Sequence, residues 1–330
     1  MRSLEHYWYQ KNYFVFILLP LSWLFCAVSI IRRKIYKLNL KKSYSSDAPV
    51  VVIGNIVAGG SGKTPLLLAI CELIKENGYR PGVVSRGYGG NFTGLRQVSE
   101  SDSAELVGDE PLMVQQRTQV PVVVGVDRVA AVRYLLENNA CDIVLSDDGL
   151  QHYRMRRDIE IAVVDAKRRF GNGYCLPAGP LREPVSRLED VDLVVYNVAN
   201  AGAIEACSYT LRFTQVYKLG TGETRALSSF ADKIVHAVAG IGAPGRFFTQ
   251  LRENDIGIVE HAFSDHHDYT QDDFSGWHDD CIIMTEKDAV KCRALSLPDA
   301  WVVRVEAELA ESLESQLNSK ILPLLKQQKT

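Results

Sequence analysis

The chain has 330 residues, 46% of them apolar and 23% charged, with a formal net charge of −3. That is enough to bury a normal core and form two domains, and it lacks the positive balance that would draw it to nucleic acid. Its seven cysteines (26, 71, 141, 175, 207, 281 and 292) are odd in number and hold no C-x-x-C pair, so neither a disulfide framework nor a zinc cluster is encoded and the usage is that of a reduced, intracellular protein.

At the N-terminus, Asn12 to Ile31 make 20 consecutive uncharged residues between Lys11 and Arg32, close to the ~20 needed to cross a bilayer as helix. Pro20 and Ser22 weaken the run slightly. Two basic residues precede it (Arg2, Lys11) and six follow (Arg32, Arg33, Lys34, Lys37, Lys41, Lys42), which puts the downstream side in the cytoplasm. A buried helix and a cleaved signal peptide are the bland alternatives. Membrane association is the expectation, as a full span, a half-buried hairpin or an interfacial helix.

After the basic segment 32–42 and a polar link at 43–47, apolar runs alternate with helical patterns. Candidate strands lie at 49–54, 80–85, 120–125, 141–146, 159–165 and 191–196, with helices at 63–77 and 127–138, the second opening on Asp127 as its N-cap. This order predicts an α/β fold, a P-loop NTPase-like parallel sheet covered on both faces. The pattern restarts near 208, with strands at 209–217, 233–239, 256–263, 281–285 and 300–306 and helices near 244–254, 270–278, 287–294 and 308–326. The expected division is therefore 1–42 for membrane helix and basic flank, 43–207 for the nucleotide-binding domain, and 208–330 for a second, smaller α/β domain.

Gly54 to Pro65 lies between the apolar run 49–53 and the helix opening at 63. A strand feeding a glycine-rich turn that opens a helix presents backbone N–H groups at the positive end of a helix dipole, a cradle for phosphate. Gly59, Gly60, Ser61 and Gly62 form the turn, Lys63 is placed for the β- and γ-phosphates, and Thr64 with Pro65 begins the helix. ATP or GTP with Mg²⁺ is the ligand this spacing predicts, although strict Walker spacing would place glycine at Val57. Such a loop needs the cytosol, which argues against export of the chain.

Downstream, Asp142 to Asp148 reads as a buried strand ending in two adjacent carboxylates, the form of a Walker B strand. A hard cation bridging phosphates needs oxygen ligands beside the loop, so Asp147 and Asp148 are metal or catalytic candidates; the plain alternative is a turn before Gly149. Gly108-Asp109-Glu110-Pro111 puts two carboxylates on a turn, a weak signal alone. Arg86 stands among glycines after the second strand, either lining a phosphate or sugar pocket or in a flexible loop. Arg168, Arg169 and Arg182, with Glu183, punctuate a glycine- and proline-rich segment suited to an anionic acceptor, or to solvent. His266 and His267 follow Asp265 at a strand end; adjacent residues point to opposite faces, so one histidine reaching a carboxylate fits better than a zinc site.

Two motifs compete. Gly240-Ile-Gly242-Ala-Pro-Gly245 follows a strand and has Glu260 twenty residues on, formally a dinucleotide fingerprint. Thr285-Glu-Lys287-Asp288 has the look of a guanine-specifying turn with its lysine one place late.

GNIVAGGSGKTP (54–65), SRGYGG (85–90), GDEP (108–111), SDDGLQH (146–152), FGNGYCLPAGPLREP (170–184), GIGAPGRFF (240–248), FSDHH (263–267) and MTEKDAVKC (284–292) together resemble, in order, the tetraacyldisaccharide 4'-kinase family of lipid A synthesis. The valine at 57 belongs to that family's pattern. The resemblance implies a P-loop kinase at the cytoplasmic face of the inner membrane, a monomer moving the γ-phosphoryl of ATP, with Mg²⁺, to the 4'-hydroxyl of an acylated glucosamine disaccharide phosphate. It implies that Lys63 and Thr64 hold phosphates and metal and that Asp147 and Asp148 serve the metal, Asp148 also as a catalytic candidate. Asp109 becomes the base, with His266 orienting it as a dyad, while Arg86, Arg168, Arg169, Arg182 and Glu183 line the acceptor site. The competing readings are a membrane-tethered P-loop switch without a small-molecule acceptor and a dehydrogenase using 240–245.

Overall fold

A computed structural model describes residues 8–9, 13–199, 207–277 and 280–327. Arg2, Lys11 and Asn12, and most of the expected boundary near 200–210, lie outside the described residues. In chain order the elements are α1 (Phe14–Lys37), β1 (Val50–Gly54), α2 (Lys63–Glu76), β2 (Pro81–Ser85), β3 (Leu95–Gln97), α3 (Ala104–Val107), α4 (Asp109–Thr118), β4 (Val122–Gly125), α5 (Arg128–Asn138), β5 (Ile143–Asp147), β6 (Ile159–Asp165) and β7 (Leu193–Val198). There follow β8 (Ser208–Lys218), β9 (Thr224–Arg225), β10 (Ile234–Ala239), α6 (Pro244–Glu253), β11 (Gly257–Ala262), β12 (Ile282–Thr285), α7 (Glu286–Cys292), β13 (Ala300–Leu309) and α8 (Glu311–Gln327).

The strands join one mostly parallel sheet in the order β11-β10-β12-β13-β8-β7-β6-β1-β5-β2-β4-β3, with β9 on β8. β1 lies between β5 and β6, parallel to both, so the chain leaves it toward β2 on one side and later returns to β6 on the other. That reversal is where an open parallel sheet presents a crevice at its strand ends. The apolar runs read from sequence follow from burial on both faces. Val51 and Ile53 of β1 pack with α2 and α4, whereas Val50 and Val52 pack with α5 on the opposite face.

The sheet crosses the expected division without a break. β7 pairs parallel with β8, and β8 pairs antiparallel with β13 along most of its length. α8 then returns to the first half, where Leu313, Leu317, Ile321 and Leu325, spaced four apart on one face, pack with Leu66, Leu67 and Ile70 of α2. The second half buries Phe247, Phe248 and Leu251 of α6 on one face and Phe274, Ala289 and Cys292 on the other.

Two local expectations change, and a strand appears that the sequence pattern did not mark. The helix expected at 270–278 is a short 3₁₀ turn, Gln271–Phe274, capped by Thr270 and Asp273 and followed by Gly276 at φ +92°. The Gly108-Asp109 turn is the start of a real helix: Gly108, at φ +93°, separates α3 from α4. β3 is an antiparallel edge strand too short to carry an alternating pattern.

The segment carrying Arg182 and Glu183 is held by a buried charge cluster. Tyr153 donates its hydroxyl to Glu183, and Arg187 donates to Glu160 at 2.6 Å and to the Tyr153 hydroxyl at 3.2 Å. Arg187 is 1% exposed and Glu183 2%. Removing one partner of a buried pair strands the other in low dielectric, so Arg187→Met should lower the unfolding free energy by about 3 kcal/mol. Denaturant titration checks this; a change below about 1 kcal/mol would mean that backbone contacts alone hold the segment.

Candidate active site

The turn after β1 is pinned from behind. Asn55 Nδ2 donates to Gly59 O (3.3 Å) and to Ser61 Oγ (3.0 Å), Arg168 to Gly60 O (3.0 Å), Asn197 to Ser61 O (3.2 Å), and the Tyr209 hydroxyl to Gly62 O (2.6 Å). With its carbonyls held outward, the turn keeps its N–H groups for an anion at the N-terminus of α2. Gly62 caps that helix at φ +84°, and a Cβ there would stand 2.3 Å from Asn197 Nδ2 and 2.9 Å from the Tyr209 hydroxyl. Gly59, Gly60, Ser61, Gly62, Lys63, Thr64 and Pro65 all line a cleft of about 1010 Å³ between the two halves.

Asp147 ends β5 beside this loop and is buried; its Oδ2 accepts from Ser85 at 3.4 Å, while its Oδ1 has no hydrogen-bond partner. Asp148 takes a left-handed φ of +48°, which turns its carboxylate away from its neighbour to Lys63 (3.3 Å) and Arg182 (2.8 Å). Burial, with Glu110 and Asp148 nearby, pushes the Asp147 carboxyl up. Burial also acts on Asp148, but Lys63 and Arg182 outweigh it and bring it to about 2. A buried, orphaned carboxylate oxygen beside a phosphate cradle, in a cleft that Thr64 also lines, fits Mg²⁺, which takes one or two carboxylates and completes its shell with phosphate and water. Among the described residues no group of three metal-ligating side chains occurs.

The two carboxylates sit on a cation that sequence reading did not single out. Arg128, 2% exposed, donates to Gly125 O (2.8 Å) and to Asp147 O (3.1 Å), and burial brings its guanidinium down to about 10. Burial, with Arg128, Arg32 and Arg86 around it, likewise lowers His152 to about 4. Arg86 is exposed on the cleft wall, and Arg168 and Arg182 line it too. Arg169, at φ +44°, instead lines a small recess behind the phosphate loop. Glu183 reaches the wall, but Tyr153, Gln151 (3.0 Å) and Arg187 (3.8 Å) engage its carboxylate.

In the same half as the phosphate loop, Asp109 opens α4 and is 4% exposed. His266 stands in the loop after β11 at φ +59°, and its Nδ1 meets Asp109 Oδ2 at 2.9 Å and Oδ1 at 3.2 Å. Nδ1 carries the proton, since a carboxylate only accepts. Burial pushes Asp109 up, yet the His266 hydrogen bond with the Lys287 and Lys291 charges leaves it below the usual carboxylate range; the same bond raises His266. The second histidine faces elsewhere: His267 Nε2 pairs with Asp273 at 3.2 Å.

Both competing motifs have structural explanations. The Gly240 N–H donates to buried Asp288 at 3.1 Å, and a Cβ at Gly240 would stand 2.7 Å from the Tyr269 hydroxyl. Gly240 is thus required by packing inside the second half, while Gly242 comes into ordinary contact with Gly60 of the phosphate loop, where a Cβ would stand 3.4 Å from the Gly60 nitrogen. Thr285 caps α7 and donates to Asp288 at 2.6 Å. Asn55, Asn197, Tyr209 and Arg128 carried no sequence signal, because their partners define them.

A family model described as Tetraacyldisaccharide-1-P 4'-kinase matches residues 14–322. Curated proteins named tetraacyldisaccharide 4'-kinase are similar along nearly the whole chain. That of Methylobacillus flagellatus is 44% identical over 99% of this chain and 98% of its own, and that of Hahella chejuensis 44% over 96% of each. The crystal structure of LpxK from Aquifex aeolicus in complex with ATP superposes with a TM-score of 0.82 at 27% identity, covering 94% of this chain and 99% of that one.

Gly62→Ala should place a side chain in left-handed backbone against Asn197 and Tyr209, at a local cost of about 1–3 kcal/mol. ATP affinity should fall tenfold or more while the far-ultraviolet dichroism is retained. Nucleotide titration of the variant checks it, and an unchanged affinity would show that the turn tolerates a different path.

Proposed function

The chain belongs to the tetraacyldisaccharide-1-P 4'-kinase family, and from that premise we propose how its own residues carry the reaction. It is an ATP-dependent kinase of lipid A biosynthesis, moving the γ-phosphoryl group to the 4'-hydroxyl of a tetraacylated disaccharide 1-phosphate. The observation that carries our assignment of roles is the His266–Asp109 contact, 2.9 Å, which sets buried Asp109 behind His266 on the wall of the cleft that also holds the phosphate loop.

Lys63 and the turn N–H groups hold the β- and γ-phosphates. Thr64, Asp147 and Asp148 would hold Mg²⁺, which when bound neutralises charge on those phosphates. Asp109 accepts the proton of the acceptor hydroxyl, and His266 keeps the carboxylate turned toward it. A loose transition state releases the nucleophile's proton late, so a base of low basicity suffices, contributing roughly 10²–10⁴-fold with positioning doing the rest. Arg86, Arg168 and Arg182 face the cleft as anion contacts for the acceptor, whereas Glu183 shapes the wall. Both halves of this site come from one chain, which supports action as a monomer.

The N-terminal helix supports a lipid acceptor. It is long and apolar enough to cross a membrane, and Ile17, Leu21, Trp23, Leu24, Val28 and Ile31, each more than half exposed, fall on one side. The other side is docked: Ser22 donates to Cys175 O (2.7 Å), the Tyr36 ring stacks with Tyr153, and Lys37 pairs with Asp190 (2.7 Å). We place the helix half-immersed at the cytoplasmic face of the inner membrane, with its basic end on anionic headgroups.

Solubilised protein incubated with labelled ATP, Mg²⁺ and the disaccharide lipid should transfer label to lipid; label in free phosphate alone would favour an ATPase switch. Asp109→Ala and His266→Ala should each lower kcat by two orders of magnitude or more, and the double variant should be little worse than the poorer single one. Multiplying losses would mean the residues act separately.

Trp23→Asp with Leu24→Asp should abolish recovery with membranes in high salt and leave the melting temperature within about 2 °C, because both side chains face outward. Unchanged recovery would move the membrane contact to another surface.

A further inference from the structure

Lys287, the second residue of α7, reaches three carboxylates on two sides of the cleft. Its Nζ lies 2.9 Å from Asp265 Oδ1, 3.2 Å from Glu110 Oε1 and 3.9 Å from Asp109 Oδ2, with the side chain 13% exposed. One turn on, Lys291 points the same way, 4.0 Å from Asp109 and 3.3 Å from Asp288, 7% exposed and with its Nζ making no hydrogen bond. A lysine at a helix N-terminus opposes the helix dipole, and burial of its charge is costly. Neither fact favours this placement for the sake of α7. The compensation comes from the carboxylates that flank the reactive pair.

We propose that Lys287 is a positioning residue of the Asp109–His266 pair, tying the Asp109-Glu110 start of α4 to the Asp265 side of the His266 loop so that the two groups meet across the cleft. Asp109 and Glu110 belong to the first half; Asp265, His266 and Lys287 belong to the second. Without the ammonium, three carboxylates would converge with only His266 and Lys291 to balance them, and like charge would push α4 and the His266 loop apart. The groups facing the pair are Lys287 and Lys291 from α7, Glu110 beside Asp109, Asp265 at 3.9 Å from His266 Nε2, and the Tyr88 ring, 5.0 Å from that of His266.

The charge has a readable sign. Lys287 holds the Asp109 carboxyl down and opposes protonation of His266. Removing it moves both groups upward, so the acid limb of the kcat profile, which reports the pair as a unit, moves the same way whichever atom binds the proton.

The inference rests on the dyad reading above, and the test separates the two. Transfer is measured from pH 5 to 9 for wild type, Lys287→Met, Lys287→Arg and Asp109→Ala, with melting temperatures alongside. Lys287→Met should shift the acid limb upward by about one pH unit and lower kcat at the plateau with little change in the KM for ATP. Lys287→Arg should restore the limb. A Lys287→Met profile scaled down equally at every pH, with a lower melting temperature, would make the lysine merely structural and overturn the proposal, as would an unmoved limb. Wild-type activity in Asp109→Ala would instead remove the dyad reading itself.

Discussion

Two adjacent carboxylates at the end of a buried strand set the terms for this site. Asp147 and Asp148 cannot share an apolar strand end as parallel charges without large electrostatic cost. The left-handed backbone at Asp148 separates them by aiming one carboxylate at Lys63 and Arg182. Asp147 remains against the buried Arg128, which satisfies its backbone carbonyl and leaves Oδ1 unpartnered. The arrangement is thus neutralised on one side and waiting for positive charge on the other. Lys63 serves two masters in this geometry: while it holds Asp148 it lies beside the phosphate cradle, so a phosphate arriving with its own cation competes for the same ammonium.

The Asp109–His266 pair inherits a different constraint, because its members lie 157 positions apart in the chain. They meet only because one sheet runs through both halves and α8 returns to pack on α2. Beside that apolar packing, polar pairs also join the halves: Arg117 to Glu286 at 2.6 Å, Arg246 to Asp165 at 3.0 Å, His266 to Asp109 and Lys287 to Glu110. Polar contacts can be exchanged for others at small net free energy, whereas an apolar seam cannot. A cleft that must admit both a nucleotide and a lipid headgroup is well served by polar pairs such as His266 with Asp109 and Lys287 with Glu110 beside it.

What the sequence made legible follows from which forces act locally. The strands at 50–54, 143–147 and 159–165 announce themselves as unbroken apolar runs because both sheet faces are covered, and the phosphate loop and the Asp147-Asp148 pair are marked by the glycines beside them. α4 was hidden since Gly108 cuts a 15-residue stretch into pieces of four and ten residues, too short for periodicity to speak. Helical spacing at 270–278 was overruled by a 3₁₀ turn and Gly276. The groups that pin the phosphate loop were invisible for another reason. Asn197 and Tyr209 bond residues 136 and 147 positions away, and nothing near an asparagine or a tyrosine says which distant carbonyl it will hold. The pairing of Asp109 with His266 came from the resemblance of the motifs and not from any local rule, since nothing near either residue points to the other; the structure shows the two in contact.

The N-terminal helix, which we propose meets the membrane, also lines the cleft. Phe25, Val28, Ser29 and Arg32 lie on the cleft wall together with Lys63, Arg86 and Arg182, so the same helix presents apolar side chains outward and contributes to the cleft that holds the phosphate loop. A substrate with acyl chains loses too much hydrophobic free energy to leave the bilayer, at about 0.8 kcal/mol for every methylene exposed. Its sugar must be reached while its tails stay in lipid. On the function proposed above, a helix docked on the protein along one side and apolar on the other would meet that need: it would bring the cleft mouth to the depth of the headgroups and offer an apolar path that keeps the tails covered while the hydroxyl approaches Asp109.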